Sequence, residues 1–303
     1  MIIKRSIRKI LITTLCLFII LCIYTITNIN NDNTLKVNLE LEDISLLTNT
    51  NIYLLNSDGY LVQKKVFIDS SNVIDRIKKI INYLKINKTS KYSSNLRGVI
   101  NKNCNIIDLS YDEEYITLNF NKYFYDIDNI NTVVSSIVHS LYSIDGVKGV
   151  TILVEGKYLD NYPKIIDNNI DLNKDVDLTG RNDINKVVVY YLSKDNEDYY
   201  YVPVSKYLND SRDKINIIVQ EMVSNTSNNL ISLVNSNLEL ISSREENDTM
   251  ILNFNNYLFD NNDEVLEEVL YCISYSVFDN YDVSMIMFQI DGKNFKTIDK
   301  KSL

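Results

Sequence analysis

The chain has 303 residues, 45% hydrophobic and 23% charged, with only 7 Gly and 2 Pro. That is enough to bury a core in two domains, and it excludes low-complexity and collagen-like classes. Net charge is −9, but the first 26 residues contribute +4 and no acid, so the remainder carries −13. A surface that acidic, with no Lys/Arg cluster, repels phosphate backbones and excludes nucleic-acid binding. The 22 Tyr and abundant Asn and Ile read as the codon bias of an AT-rich genome.

Residues 1–9 hold Lys4, Arg5, Arg8 and Lys9, and the 17 residues Ile10–Ile26 that follow are apolar but for threonines and a tyrosine. A polar stretch, Thr27–Asn33, comes next. This order is that of a signal sequence or signal anchor, at the lower length limit for a hydrocarbon core about 30 Å thick. With no small-x-small cleavage site, an uncleaved single-pass anchor is expected, and the positive-inside rule puts the N-terminus in the cytoplasm and everything after residue 28 outside. Lipidation at Cys22 or Cys16 is the weaker alternative, because Leu21 and Leu15 stand where a lipobox needs a small residue. A buried N-terminal helix of a cytosolic protein would leave the four positive charges unexplained.

Beyond the anchor the chain repeats. Tyr115–Asp126 matches Thr249–Asp260 without a gap, around the identical cores Leu118-Asn119-Phe120-Asn121 and Leu252-Asn253-Phe254-Asn255. At the same offset Leu96 pairs with Leu230, Asn101 with Asn235, Asn103 with Asn237 and Ile107 with Ile241. Glu155-Gly156 finds Asp291-Gly292, and Ile52-Tyr53-Leu54 is aligned with Tyr190-Tyr191-Leu192. Each copy covers about 110–120 residues, a domain length rather than a solenoid repeat.

In chain order, Ile52–Leu55 and Leu61–Ile68 predict two strands around the turn Ser57-Asp58-Gly59. Val73, Ile74, Ile77, Ile80, Ile81 and Leu84 recur at helical spacing after Asp69, Ser70 and Ser71. A strand near Asn105–Leu109, a turn at Asp112–Glu114 and a one-face-buried strand through Ile116, Leu118 and Phe120 follow. Ile130, Val133, Val134, Ile137, Val138 and Leu141 predict an amphipathic helix, and Gly149–Val154 a closing strand. The second copy repeats this: strand Lys186–Leu192, turn Lys194–Asp198, helices through Ile215–Val223 and Val265–Val277, strand Ser284–Ile290. The fold class is therefore α+β: two tandem small α/β sandwich domains, each a mixed sheet with two helices on one face, after a transmembrane anchor. The boundaries read are 1–35 for tail and anchor, 36–158 and 186–303 for the copies, and 159–185 for an acidic, non-periodic linker.

The succession of strand, helix and strand ending in an acid-Gly turn resembles the GerM domain of sporulation and spore-germination proteins. The second copy carries Tyr190-Tyr191-Leu192, Tyr201-Val202-Pro203-Val204-Ser205-Lys206, Ile251-Leu252-Asn253-Phe254 and Asp291-Gly292. The first keeps Ile52-Tyr53-Leu54, Thr117-Leu118-Asn119-Phe120 and Glu155-Gly156, with Gln63-Lys64-Lys65-Val66 in place of the Val-Pro-Val segment. Lys206 stands where the family usually has Arg, and Lys102-Asn103-Cys104 and Ser236-Asn237-Leu238 replace a Pro- and Gly-containing segment. The resemblance spans about 80% of the chain. It implies an extracytoplasmic protein of an endospore former, built from interaction modules without known catalysis. Such modules are similar to the ring-building domains of the assembly spanning the mother-cell and forespore membranes.

No residue is assigned a catalytic, cofactor-binding or metal-binding role. The single histidine, His139, sits at the edge of a predicted packed helix face. Cys104 and Cys272 are expected as buried thiols, with a bridge between them as the alternative. Asp171, Asn173, Asp175 and Asp177 are spaced as in a calcium loop, but Val176 replaces the Gly and Asn182 the bidentate Glu, so a solvated acidic linker is expected. The pairs Glu113-Glu114, Glu245-Glu246 and Glu267-Glu268 are read as solvated acids, since adjacent acids point apart and a glycosidase holds two across a cleft. The expected function is non-enzymatic scaffolding or protein–protein interaction, including self-association, in a membrane-associated assembly of sporulation or germination. The alternative is an envelope-remodelling accessory factor binding peptidoglycan or a cell-wall hydrolase.

Overall fold

The structure is a computed structural model that describes residues 47–86, 95–126, 129–177, 184–195, 198–259 and 265–303. The tail and anchor read at residues 1–35 lie outside them. No helix among the described residues is long and apolar enough to cross a membrane.

The first copy contains β1 (Leu47–Leu55), β2 (Leu61–Asp69), α1 (Val73–Tyr83), β3 (Ile106–Asp112), β4 (Tyr115–Phe120), α2 (Ile130–Leu141), β5 (Gly149–Val154) and β6 (Lys157–Tyr158). The short β7 (Asp175–Asp177) leads to the second copy. There β8 (Ile184–Asp195), β9 (Asp198–Asn209), α3 (Lys214–Val223), β10 (Leu240–Glu246), β11 (Thr249–Phe254), α4 (Glu267–Asn280), β12 (Met285–Ile290) and β13 (Lys293–Asp299) recur in the same order.

Two four-stranded sheets, β3-β4-β5-β6 and β10-β11-β12-β13, carry the repeat. In each, the central pair is parallel and joined through α2 or α4, as a parallel crossover requires. The outer strands pair antiparallel. Alternation sends Ile116, Leu118 and Phe120 inward, all fully buried, as are Leu252 and Phe254. Both first strands carry a bulge at the same place, and the bulged residues Ile107 and Ile241 are each 54% exposed.

The duplicated asparagines have a structural use. Glu155-Gly156 and Asp291-Gly292 have positive φ at both positions, as a tight two-residue hairpin turn demands. Asn119 Oδ1 accepts from the Gly156 N–H at 2.9 Å, and Asn253 Oδ1 from the Gly292 N–H at 2.8 Å. Asn121 and Asn255 clamp the loop before the first sheet strand, accepting from the N–H of Asn105 or Glu239 and donating to the carbonyl of Asn103 or Asn237.

The hairpins depart from expectation. They do not join the four-stranded sheet of their own copy. Instead β1-β2 and β8-β9 unite with β7 in one five-stranded sheet, β2 pairing with β9 at Gln63 and Tyr201. Each helix pair thus packs between two sheets rather than on one face of a single sheet. That explains why α2, read as amphipathic, is buried almost all round, with Ser135, Ser136 and Ser140 inside. Its hydroxyls bond the backbone of β1: Ser140 Oγ accepts from the Tyr53 N–H at 3.0 Å and Ser136 Oγ donates to its carbonyl at 2.6 Å. In the second copy Ser276 Oγ accepts from the Tyr190 N–H at 2.9 Å, and Asn280 bonds both backbone groups of Val188. Tyr53 is therefore equivalent to Tyr190, one residue away from the sequence alignment; a run of two tyrosines hides that slip.

The stretch read as a solvated linker is also packed. Leu159, Ile166 and Leu172 are buried, Ile166 exchanges backbone bonds with Val150, and β7 runs parallel to β9. Residues Thr48–Leu303 form one compact unit.

The strand assignment makes a direct prediction. Phe120→Ala and Phe254→Ala should each destabilise the protein by about 3–5 kcal/mol through cavity formation. Asn119→Ala and Asn253→Ala lose one hydrogen bond at a half-buried position and should cost about 1 kcal/mol. Denaturant unfolding of the four variants decides; equal losses at all four would contradict the two-faced strand.

Candidate functional site

The groups with chemical potential are already engaged. His139 is half-buried on α2, 5.4 Å from the Tyr53 ring, and its Nε2–H donates to the Ile170 carbonyl at 2.9 Å. Loss of water around the ring pushes its pKa down to about 4, which keeps it neutral at physiological pH. Its equivalent is Tyr275, which stacks on Tyr190 at 5.2 Å as His139 approaches Tyr53. Cys104 and Cys272 are buried free thiols, and burial raises both pKa values, that of Cys104 to about 11. A raised thiol pKa is the reverse of a reactive cysteine.

The acids that suggested a calcium loop are held in place. Asp171 pairs with Lys186 at 2.8 Å and Lys174 at 3.3 Å, and accepts from the Tyr207 hydroxyl at 2.7 Å. Burial opposes its charge, but the bonds from Lys186 and Tyr207 outweigh that and hold its pKa below the usual carboxylate range. Asn173, in the left-handed region, donates to the carbonyls of Leu61 and Pro203 and accepts from the Leu61 N–H, tying β2 to β9. Asp175 faces Lys206, which also binds Glu221 at 2.7 Å. Among the described residues no group of three His, Cys, Asp or Glu is placed to hold a metal ion.

The glutamate pairs separate. Glu114 meets Lys148 in the β3–β4 turn, Glu246 meets Arg244 on β10, and Glu267 and Glu268 occupy the first turn of α4.

One concave feature occurs in both copies, between the loop before the first sheet strand and the start of the second helix. In the first copy it measures about 460 Å³ and is lined by Arg97, Asn101, Asp126, Asn129 and Thr132 as well as apolar groups. In the second it measures about 200 Å³ and is lined by Leu233, Val234, Leu238, Tyr257, Phe259 and Leu266. Asn101 lines the first and its counterpart Asn235 the second, which places part of each at the same point of the repeat. Sequence reading named neither, because their linings come from segments far apart in the chain.

The neutral His139 generates a pH prediction. The free imidazole titrates near pH 6.5, so between about pH 4 and 6.5 the unfolded chain binds the extra proton. The stability due to the neutral ring is present above pH 6.5 and is lost as pH falls towards 4. Going from pH 7 to 5 should lower the unfolding free energy by about 1–2 kcal/mol more in the native chain than in His139→Tyr, which installs the second copy's residue. Parallel pH profiles for the two proteins would sink this assignment.

Comparison with known proteins places these features in a family. Residues 51–160 and 188–296 each match the Germane family model, described as sporulation and spore germination. The spore germination protein GerM of Bacillus subtilis is 24% identical over 264 residues, covering 80% of this chain and 71% of that protein. The solved tandem GerMN domains of the same protein superimpose with a TM-score of 0.71 at 20% identity, over 82% of this chain and 92% of that one. The solved first GerMN domain alone covers 40% of this chain and 98% of its own, with 14% identity and a TM-score of 0.37.

Proposed function

The chain belongs to the Germane family of sporulation and spore-germination proteins, and from that premise we propose that it is a non-enzymatic interaction module, held at the outer face of a membrane by residues 10–26. The observation that carries this reading is what the two copies share. Their common residues are fold determinants: inward Leu and Phe, asparagines that fix a turn and a loop, and acid-Gly turns. The groups suited to acid–base or nucleophilic work differ between copies or are tied into structural bonds, as His139 and Tyr275 illustrate. A duplicated module whose constant part is architecture leaves its surfaces free to diverge, which suits binding to different faces of an assembly.

The topology follows from Lys4, Arg5, Arg8 and Lys9 ahead of the apolar run Ile10–Ile26. Protease added to intact protoplasts should digest residues 48–303, while a tag at the N-terminus stays protected; full protection of both would refute the orientation. Chemical cross-linking of the full chain in sporulating cells should recover envelope proteins. His139→Tyr should leave that pattern and spore formation unchanged. A stable, correctly located His139→Tyr protein without function would overturn the non-enzymatic reading.

A further inference from the structure

Each copy leaves one long strand edge open. The central sheet is closed at β1 and β8 by side chains of α2 and α4. In the outer sheets β3 and β10 are end strands, and no described strand pairs with their free sides. Of the other end strands, β6 and β7 have two and three residues, and β13 is interrupted by an extra residue at Phe295. The bulges at Ile107 and Ile241 lie near the start of β3 and β10, so Asp108–Asp112 and Ser242–Glu246 stay regular.

Register determines which backbone groups are free. The turns Glu113-Glu114 and Asn247-Asp248 have positive φ at both positions, so each closes on a hydrogen-bonded pair, Asp112 with Tyr115 and Glu246 with Thr249. Alternation from there turns the N–H and C=O of Leu109 and Tyr111, and of Ser243 and Glu245, away from their own sheets. The Leu109 N–H bears this out: its acceptor is the carboxylate of Asp108, at 2.9 Å, and not a strand.

Charge selects the partner. A groove of about 470 Å³ runs between β3 and α1, where Lys78 and Lys85 flank Ile74, Ile81 and Leu109, with Asp108 at the rim. Lys78 is exposed, and Lys85 Nζ donates to Asn105 Oδ1 at 2.8 Å, at the start of β3. Glu245 stands on the matching face of β10, opposite Met250 as Tyr111 is opposite Ile116. On the other face stand Asp108, opposite Asn119, and Arg244, opposite Ile251. Two β3 edges together would set Lys78 and Lys85 against their own copies, and two β10 edges would leave Glu245 without a cation. Only β3 against β10 opposes unlike charges on both faces.

We propose that the chain binds a second copy of itself head to tail, β3 of one molecule adding antiparallel to β10 of the next, so that their outer sheets join edge to edge. This rests on the interaction-module reading and names one of its surfaces. Pairing Leu109 with Ser243 sets Asp108 opposite Arg244 and Ser110 opposite Ser242, and brings Glu245 to the Lys85 end of the groove. A two-residue slip towards longer overlap sets Asp108 opposite Glu246, a like-charge pair. Backbone bonds supply the affinity, and the charges supply register and choice of partner. Because the two edges differ, the contact is heterologous, and each bound chain still presents a free β3 or β10 to another.

Two full-length variants, Ser110→Cys and Ser242→Cys, are mixed in detergent solution and oxidised. Mass spectrometry should find a disulfide joining the two introduced thiols, which lie opposite each other at a non-hydrogen-bonded pair where side chains are close. Either variant oxidised alone should give at least about tenfold less dimer through its introduced thiol. Arg244→Glu in the Ser242→Cys chain should cut the yield about tenfold or more, and Asp108→Arg in the other chain should then restore it. Ser243→Pro removes an outward N–H and no bond within the sheet, so it should block the disulfide while the denaturation midpoint holds. No disulfide between the introduced thiols, equal yield from either variant alone, or indifference to both Arg244→Glu and Ser243→Pro overturns the proposal. Cross-links to other envelope proteins in sporulating cells test the wider reading separately. If they form while the mixed disulfide does not, this contact falls alone; if neither forms, both readings fall.

Discussion

The pairing of β2 with β9 is the contact on which the rest of the architecture depends. It turns two hairpins, each of which would be marginal alone, into one sheet. Equivalent residues meet across the junction, Asn56 donating to Ser193 at 3.0 Å and Tyr53 lying beside Tyr190, as two copies facing each other about a local two-fold would. Asn173 then bonds both central strands, so the segment joining the copies is also the clasp of the joint. The remaining danger of such a sheet is its free edges, which invite pairing with other chains. Side chains of α2 and α4 cover them, through Ser136 and Ser140 on β1 and through Ser276 and Asn280 on β8. Leu55 with Arg97, and Leu192 with Ile231, complete the seal by reciprocal backbone bonds.

The copies were legible because their signals are local. Alternation through Ile116, Leu118 and Phe120 fixes a strand within six residues, and the helical spacing of Val133, Ile137 and Leu141 fixes α2. The Leu-Asn-Phe-Asn quartet located the repeat, although its asparagines reveal their role only beside Gly156 and Gly292. What sequence reading missed is non-local. Nothing in the periodicity of β2 announces that, besides β1, it has a second neighbour 138 positions away, Gln63 pairing with Tyr201. The serines of α2 read as a polar face because a hydroxyl bonded to a neighbouring strand looks, in sequence, like one bonded to water. The segment at 159–177 is acidic and has no period, yet Leu159, Ile166 and Leu172 are buried and pin it to the fold.

Tyrosine shows how a composition bias becomes structural. Tyr53, Tyr190, Tyr201, Tyr271 and Tyr275 cluster where the copies meet, with ring separations of 5.2 Å for Tyr190–Tyr275 and Tyr201–Tyr275 and 6.3 Å for Tyr201–Tyr271. Two of the hydroxyls keep polar partners, Tyr190 donating to Asp279 at 2.8 Å and Tyr275 to the Leu303 carbonyl at 3.5 Å. Large rings with one polar tip suit a junction that is buried in its centre and wet at its rim. Of the 22 tyrosines in the chain, the junction gives these five a use.

The acidic excess is likewise not one uniform property. Around β7 it is neutralised internally: Asp171 by Lys186 and Lys174, Asp175 by Lys206. There the acids act as fasteners for the shared sheet and contribute little to the field outside. Glu267 and Glu268, by contrast, stand at the positive end of the α4 dipole, where they stabilise the helix without a basic side chain. Their charge is thus held in place by backbone rather than cancelled by an ion pair, and it continues to act on whatever approaches. The same helix thus begins on exposed Leu266 and two acids, and the work of those acids is done on the backbone rather than on a neighbouring side chain.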